Sequence, residues 1–124
     1  MKKAVKRKKL KLLSWYKDRA WKVFSRYIRK RDKGVCFTCG IQKGWWEMDA
    51  GHFKHGRIDF DDRNIHAQCA RCNRFLHGNL SVYAHRLIQE YGGGIVEYLT
   101  LESNKPIKYT REGLTEIYEK YKDN

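Results

Sequence analysis

Two Cys-x-x-Cys pairs, Cys36/Cys39 and Cys69/Cys72, constrain this chain more than any other feature, because each offers two thiolates from one tight turn. Two such pairs close a tetrahedral zinc site, and four thiolates leave no coordination position for water. The pairs are therefore read as a structural zinc clamp; two unrelated buried thiol pairs or an iron–sulfur cluster are the alternatives. The 29 residues between Cys39 and Cys69 exceed the roughly 15–20 of a simple zinc ribbon, so the clamp carries an inserted segment. Any catalysis has to use that segment, away from the zinc.

A chain of 124 residues holds one domain. It is read as a basic arm and helix (1–33), a clamped core (34–78) and C-terminal helices (79–124). With 33% charged residues and ten glycines its apolar core is thin, so a metal crosslink matters. A structural zinc contributes about 10–16 kcal/mol of apparent folding free energy. The net charge of +13 lies entirely in residues 1–33, where fifteen Lys/Arg face only Asp18 and Asp32; further on, twelve of each sign cancel. Such a block suits a polyanion, since neutralising phosphates releases counterions; a solvated or targeting tail is the alternative. No apolar run is long enough for a membrane span or a secretion signal. A cytoplasmic protein is expected, in which paired cysteines bind metal rather than each other.

The residue pattern sketches the elements. Ser14 is expected to cap a helix reaching Arg31, with Ala20, Val23, Phe24, Tyr27 and Ile28 on one face and Lys17, Lys22, Arg26, Arg29 and Lys30 on the other. Trp15 and Trp21 either pack on the domain or stack on bases. Residues 34–40 form a zinc knuckle, with Gly40 at positive φ. Residues 45–53 read as a strand, in which Gly51 marks a bulge or a close backbone approach. Residues 54–63 read as a polar loop with Asp59, Asp61 and Asp62 solvated, metal ligation by them being the alternative; 65–68 read as the return strand and 71–76 as a short helix. Leu80, Tyr83, Ala84, Leu87, Ile88 and Tyr91 recur at helical spacing before three glycines. A shorter helix over 95–101 follows, then a last helix capped by Thr110, with Leu114, Ile117, Tyr118 and Tyr121 on one side.

The inserted segment holds the candidate chemistry. His52 ends a strand, Asn64 begins the return, and Asn73 and His77 lie four apart on the short helix, hence on one face. An imidazole with a pKa near 6.5 can take a proton from water, and a cation opposite it can stabilise a leaving oxygen. Ordinary roles stay open beside these: a packing histidine at 52, a turn residue at 64, a helix cap at 73, a helix-dipole partner at 77. His66 alternates away from this group and His85 lies on a polar helix face, so neither is included.

The order CxxC, His52, Asn64, CxxC-Asn73 resembles the His–Asn–His (HNH) nucleases of the ββα-metal kind with a four-cysteine clamp. More narrowly, DAGHF, the acidic loop, RNIHAQCARCNRFLHGNL and the helix after it resemble the phage NinG recombination proteins, called Rap in lambda. The resemblance covers about residues 34–101; the flanks match in character only. It implies a structure-specific endonuclease acting on branched intermediates such as Holliday junctions and D-loops. By that resemblance His52 is the general base, Asn64 the residue that ties down the loop, Asn73 a metal ligand and His77 the next helical ligand position. Many HNH sites place a ligand immediately before the base, where this chain has Gly51. Asp49 could substitute if the strand bulges at residues 50–51, and His55 is a second candidate.

The expectation is an α+β fold, a zinc-clamped ββα-metal (HNH-like) core with flanking helices. Expected cofactors are structural Zn²⁺ on Cys36, Cys39, Cys69 and Cys72, and a catalytic Mg²⁺ or Mn²⁺ on Asn73 with His77 or Asp49. The expected partner is branched DNA, held through Lys17, Lys22, Arg26, Arg29, Lys30, Arg57, Arg63, Arg71 and Arg74. A homodimer through residues 80–101 and contacts with phage or host recombination proteins are further expectations, in the cytoplasm of an infected or prophage-carrying bacterium. A non-catalytic zinc module that binds nucleic acid and an HNH nickase acting on duplex DNA are the competing readings.

Overall fold

A two-stranded antiparallel hairpin lies at the centre of the computed structural model, which describes residues 11–124. The basic run over residues 1–10 lies outside the described residues. Strand β1 (Asp49–His52) pairs with β2 (Ile65–Gln68) in unbroken register, from Asp49 opposite Gln68 to His52 opposite Ile65. Helices surround the hairpin: α1 (Leu13–Arg31) before it, then α2 (Leu80–Tyr91), α3 (Ile95–Ser103) and α4 (Arg111–Tyr121). The arrangement is α+β, as expected.

Helix α1 lies over the face of the hairpin that carries Ala50, His52 and Ile65. Its stripe of Val23, Phe24 and Ile28 is buried there with Ile65 and Tyr121 of α4. The predicted apolar stripe of α1 is thus correct, but Ser14 is not its cap. Leu12 occupies the N-cap position without a side-chain bond, and Ser14 lies inside the helix. The junction with the sheet is tied at the other end. Asp32 accepts the Ala67 N–H at 2.8 Å, while Arg31 donates to the carbonyls of Asp62 and Ile65. An edge strand's free N–H is thereby satisfied by a helix C-cap residue.

The opposite face belongs to α2. Tyr83 donates to the Gly51 carbonyl at 2.8 Å and is fully buried with Leu87, Ile95, Leu99, Phe53 and Ile58. Helical spacing predicted α2 and α4 well, because each buries one apolar stripe, α2 over the hairpin and α4 against α1. Thr110 caps α4 as expected, accepting from Gly113 N at 3.0 Å.

Two predictions fail for local reasons. The strand expected from Trp45 begins only at Asp49, because Trp45–Glu47 is a 3-10 turn closed by Glu47, whose carboxylate accepts the Gly44 N–H at 3.0 Å. The helix after the second CxxC is a π turn, Arg71–Phe75, and His77 has already left it at φ 51°. Gly51 makes no bulge. A Cβ there would sit 1.9 Å from Gln68 Oε1 and 3.1 Å from Asn73 Oδ1, so the close-approach reading is the right one.

Candidate metal centres and the histidine loop

The knuckle at 34–40 and the π turn at 71–75 bring the four cysteine sulfurs within 4.8 Å of one another. Cys39 and Cys69 Sγ are 3.7 Å apart, against about 3.8 Å for the edge of a tetrahedron with 2.3 Å metal–sulfur bonds. Both turns supply polar hydrogens to the sulfurs. Cys69 Sγ accepts from Cys72 N at 3.5 Å, Cys72 Sγ accepts from Asn79 Nδ2 at 3.8 Å, and Thr38 Oγ1 lies 3.4 Å from Cys36 Sγ. Burial opposes ionisation of Cys36, yet the Thr38 and backbone hydrogen bonds outweigh it and lower its pKa to about 6. Burial pushes Cys39 up to about 12. Four thiols packed this closely become thiolates together only around a cation, and the donor set suits a metal such as zinc.

The rest of the predicted site divides into two groups. Regular alternation sends Asp49 and His52 to opposite faces of the hairpin, so they do not share one ion. On the α2 face, Asp49 accepts from Asn73 Nδ2 at 3.0 Å and from Arg74 Nε and Nη2 at 2.9 and 2.8 Å. Burial would raise the Asp49 pKa, but these bonds outweigh it and hold the carboxylate below its ordinary range. Asp49, offered as a ligand only if the strand bulged, thus meets Asn73 without a bulge and away from His52, with the Arg74 guanidinium on both carboxylate oxygens. His77 is exposed on the turn that follows and belongs to neither group.

His52 faces α1. Its ring stacks on Trp21 at 4.7 Å and on His55 at 4.6 Å, and its Nε2 lies 3.4 Å from Asp59 Oδ1. Burial lowers the His52 pKa to about 4; Asp59 opposes this, while His55 and Lys17 add to it. Asp59 is not the solvated loop charge expected from sequence. It is buried, takes the Gly56 N–H at 3.1 Å on Oδ1 and pairs with Lys17 Nζ at 3.3 Å on Oδ2. Sequence reasoning missed this role, in which the carboxylate reaches back three residues to the Gly56 N–H.

Asn64 is fully buried and holds this loop. Its Oδ1 accepts Lys54 N at 2.9 Å, and its Nδ2 donates to the carbonyls of Lys54 at 2.7 Å and Ile58 at 3.2 Å. All three bonds fix the segment carrying His52, His55 and Asp59.

His66, set aside on sequence grounds, is a buried polar pivot. Tyr83 already donates to Gly51, so His66 Nδ1–H donates to Tyr83 Oη at 3.1 Å, and His66 Nε2 accepts from Tyr91 at 2.8 Å. Both nitrogens of a neutral ring are satisfied, and a second proton would break the Tyr91 bond. Burial first, then Arg31, lowers its pKa to about 3. Because the folded value lies below the unfolded one of about 6.5, its contribution is complete above that pH and is lost as pH falls. Going from about pH 7 to about pH 4 is expected to cost roughly 3 kcal/mol through this group. Urea melts of wild type and His66→Gln across that range check it: the variant should show the shallower pH dependence.

The predicted DNA-binding cations differ in their engagements. Arg26 donates to the carbonyls of Lys122 and Asn124 at the end of α4, Arg63 pairs with Asp61, and Arg57 lies 3.9 Å from Glu102. Lys17 and Arg74 are paired with Asp59 and Asp49. Arg29 and Lys30 lie over the Trp45 ring. Among the described residues, Lys22, Lys30 and Arg71 are exposed and make no ion pair. No helix among the described residues is long and apolar enough to cross a membrane.

Comparison with known proteins agrees with the motif order. No solved structure matches the chain. The protein called ninG of Escherichia phage 933W is 34% identical over 118 residues, covering 90% of this chain and 57% of the relative. That of Salmonella phage P22 is 33% identical with the same coverages, and that of Escherichia phage lambda is 33% identical over 102 residues, 77% of this chain and 49% of the relative. The chain thus spans only about half the length of the curated relatives it matches. The family model described as bacteriophage lambda NinG protein matches residues 1–124, and this chain belongs to that family.

Proposed function

We propose that the chain is a metal-dependent endonuclease that cuts branched DNA, with its reacting centre on the loop that Asn64 clamps. The observation that supports this most is the grouping of His52, His55 and Asp59 on that loop, against a helix rich in Lys and Arg. When bound, a divalent cation supplies charge stabilisation to a phosphodiester in transition and acidifies water. The chain's own residues supply position. Asn64 immobilises the loop, Trp21 packs one face of His52 and limits water there, and Asp59 lies beside the imidazole. Lys22, Lys30 and Arg71 are exposed to hold phosphates without reading sequence.

The test incubates the chain with a labelled four-way junction and with a linear duplex of the same sequence, each in Mg²⁺, in Mn²⁺ and in EDTA. Cuts near the branch are expected in metal alone, and His52→Ala is expected to slow them by about 100-fold or more. Tight junction binding with no cut under any metal would replace this reading with that of a zinc-containing binding module. Equal cutting of the duplex would make it a nickase.

A further inference from the structure

We propose that His52, His55 and Asp59 together hold a divalent transition-metal ion, at a centre separate from the four cysteines and from the Asp49–Asn73 pair. Their three ligand atoms lie within 4.8 Å of one another. The 3.4 Å between His52 Nε2 and Asp59 Oδ1 is long for a hydrogen bond. It matches the edge between neighbouring ligands around a cation, about 3.0–3.5 Å for bonds of 2.0–2.2 Å. Asp59 is held in place for such a role, since Lys17 takes Oδ2 while Oδ1, which also accepts the Gly56 N–H, lies toward His52. His55 stacks on His52 with ring centroids 4.6 Å apart and planes 23° from parallel, so the exposed His55 ring turns about its side-chain torsions to bring both lone pairs to one ion.

Two imidazoles and one carboxylate form a borderline donor set that suits Mn²⁺, Zn²⁺ or Co²⁺ better than Ca²⁺. Three protein ligands leave positions for water and a phosphate oxygen, which the cysteine site cannot offer. The Asp49–Asn73 pair is the weaker candidate, because the Arg74 guanidinium already neutralises Asp49 from both oxygens. The metal site rests on geometry alone; its use in catalysis rests on the nuclease reading.

The experiment titrates Mn²⁺ into the zinc-loaded full chain, chosen because a hard cation does not displace thiolate-bound zinc. Binding is read by electron paramagnetic resonance, and broadening of histidine ring protons by nuclear magnetic resonance. One Mn²⁺ is expected per chain, broadening the His52 and His55 rings before those of His66, His77 and His85. His55 is exposed, so His55→Ala should keep the zinc content and melting temperature yet weaken Mn²⁺ by about tenfold or more. Asp59→Asn, checked for folding by the same melt, should weaken it likewise. Unchanged affinity in His55→Ala, first broadening near Asp49 and Asn73, or no binding at millimolar Mn²⁺ would each overturn the site. Junction cutting measured in parallel separates the two ideas. Mn²⁺ at the triad with no cut supports the site and overturns the nuclease, whereas cutting without Mn²⁺ there overturns the site.

Discussion

Cys72→Ala is expected to unfold the middle of the chain and not merely loosen it. Cys72 is fully buried among Cys36, Met48, Ala67 and Cys69, a cluster with little apolar mass of its own. A structural zinc supplies about 10–16 kcal/mol of apparent folding free energy, comparable with or above the about 5–15 kcal/mol total of an ordinary domain. Loss of one thiolate also leaves three crowded sulfurs and removes the acceptor of the Asn79 amide. The expected result is one zinc per wild-type chain by elemental analysis and a cooperative melt. The variant should show no bound zinc and a collapsed near-UV signal, and a strong chelator should reproduce that state in the wild type. A variant or chelated protein that still melts cooperatively at the wild-type temperature would show that the cysteines cluster without a structural metal.

Asn64→Ala should be the next most damaging change, and for a different reason. The side chain satisfies one backbone N–H and two carbonyls of a buried loop, and alanine would leave all three without it. Each buried group left unpaired costs about 1–3 kcal/mol, so a loss of roughly 3–5 kcal/mol is expected. A urea titration would show it as a lower midpoint with little change in slope. Asn64→Asp keeps the acceptor for Lys54 N but turns a carboxylate oxygen on the two carbonyls, and should fare no better. Because the loop carries His52, His55 and Asp59, the proposed nuclease function has both variants also lose junction cutting even where they remain folded. A stable Asn64→Ala with full activity would reduce the residue to an ordinary turn.

Much of the scaffold was legible because its signals are local. Apolar spacing marked α2 and α4, Thr110 marked the start of α4, and Gly40 does adopt φ 80° at the knuckle. For Asn64 the loop tie came from the resemblance and not from a local signal, and its three hydrogen bonds do tie the loop. Errors arose where a distant partner decided the outcome. Asp59 looked like one of several acidic loop residues, yet Lys17 of α1 and His52 bury and pair it. His66 looked incidental, yet two tyrosines of α2 close on its ring. Arg26 and Arg74 looked like free cations, yet backbone carbonyls and Asp49 engage them.

The sequence by itself determined the four-cysteine clamp, the periodic helices and the segment in which candidate chemistry is concentrated. These depend on spacing along the chain, which thiolate pairing and helical pitch convert directly into geometry. Only the tertiary structure decided which face His52 occupies and who its neighbours are. Strand alternation without a bulge turned it from Asp49 and Asn73 toward Trp21, His55 and Asp59. One extra residue in that strand would have reversed the face, because side chains alternate with a period of two.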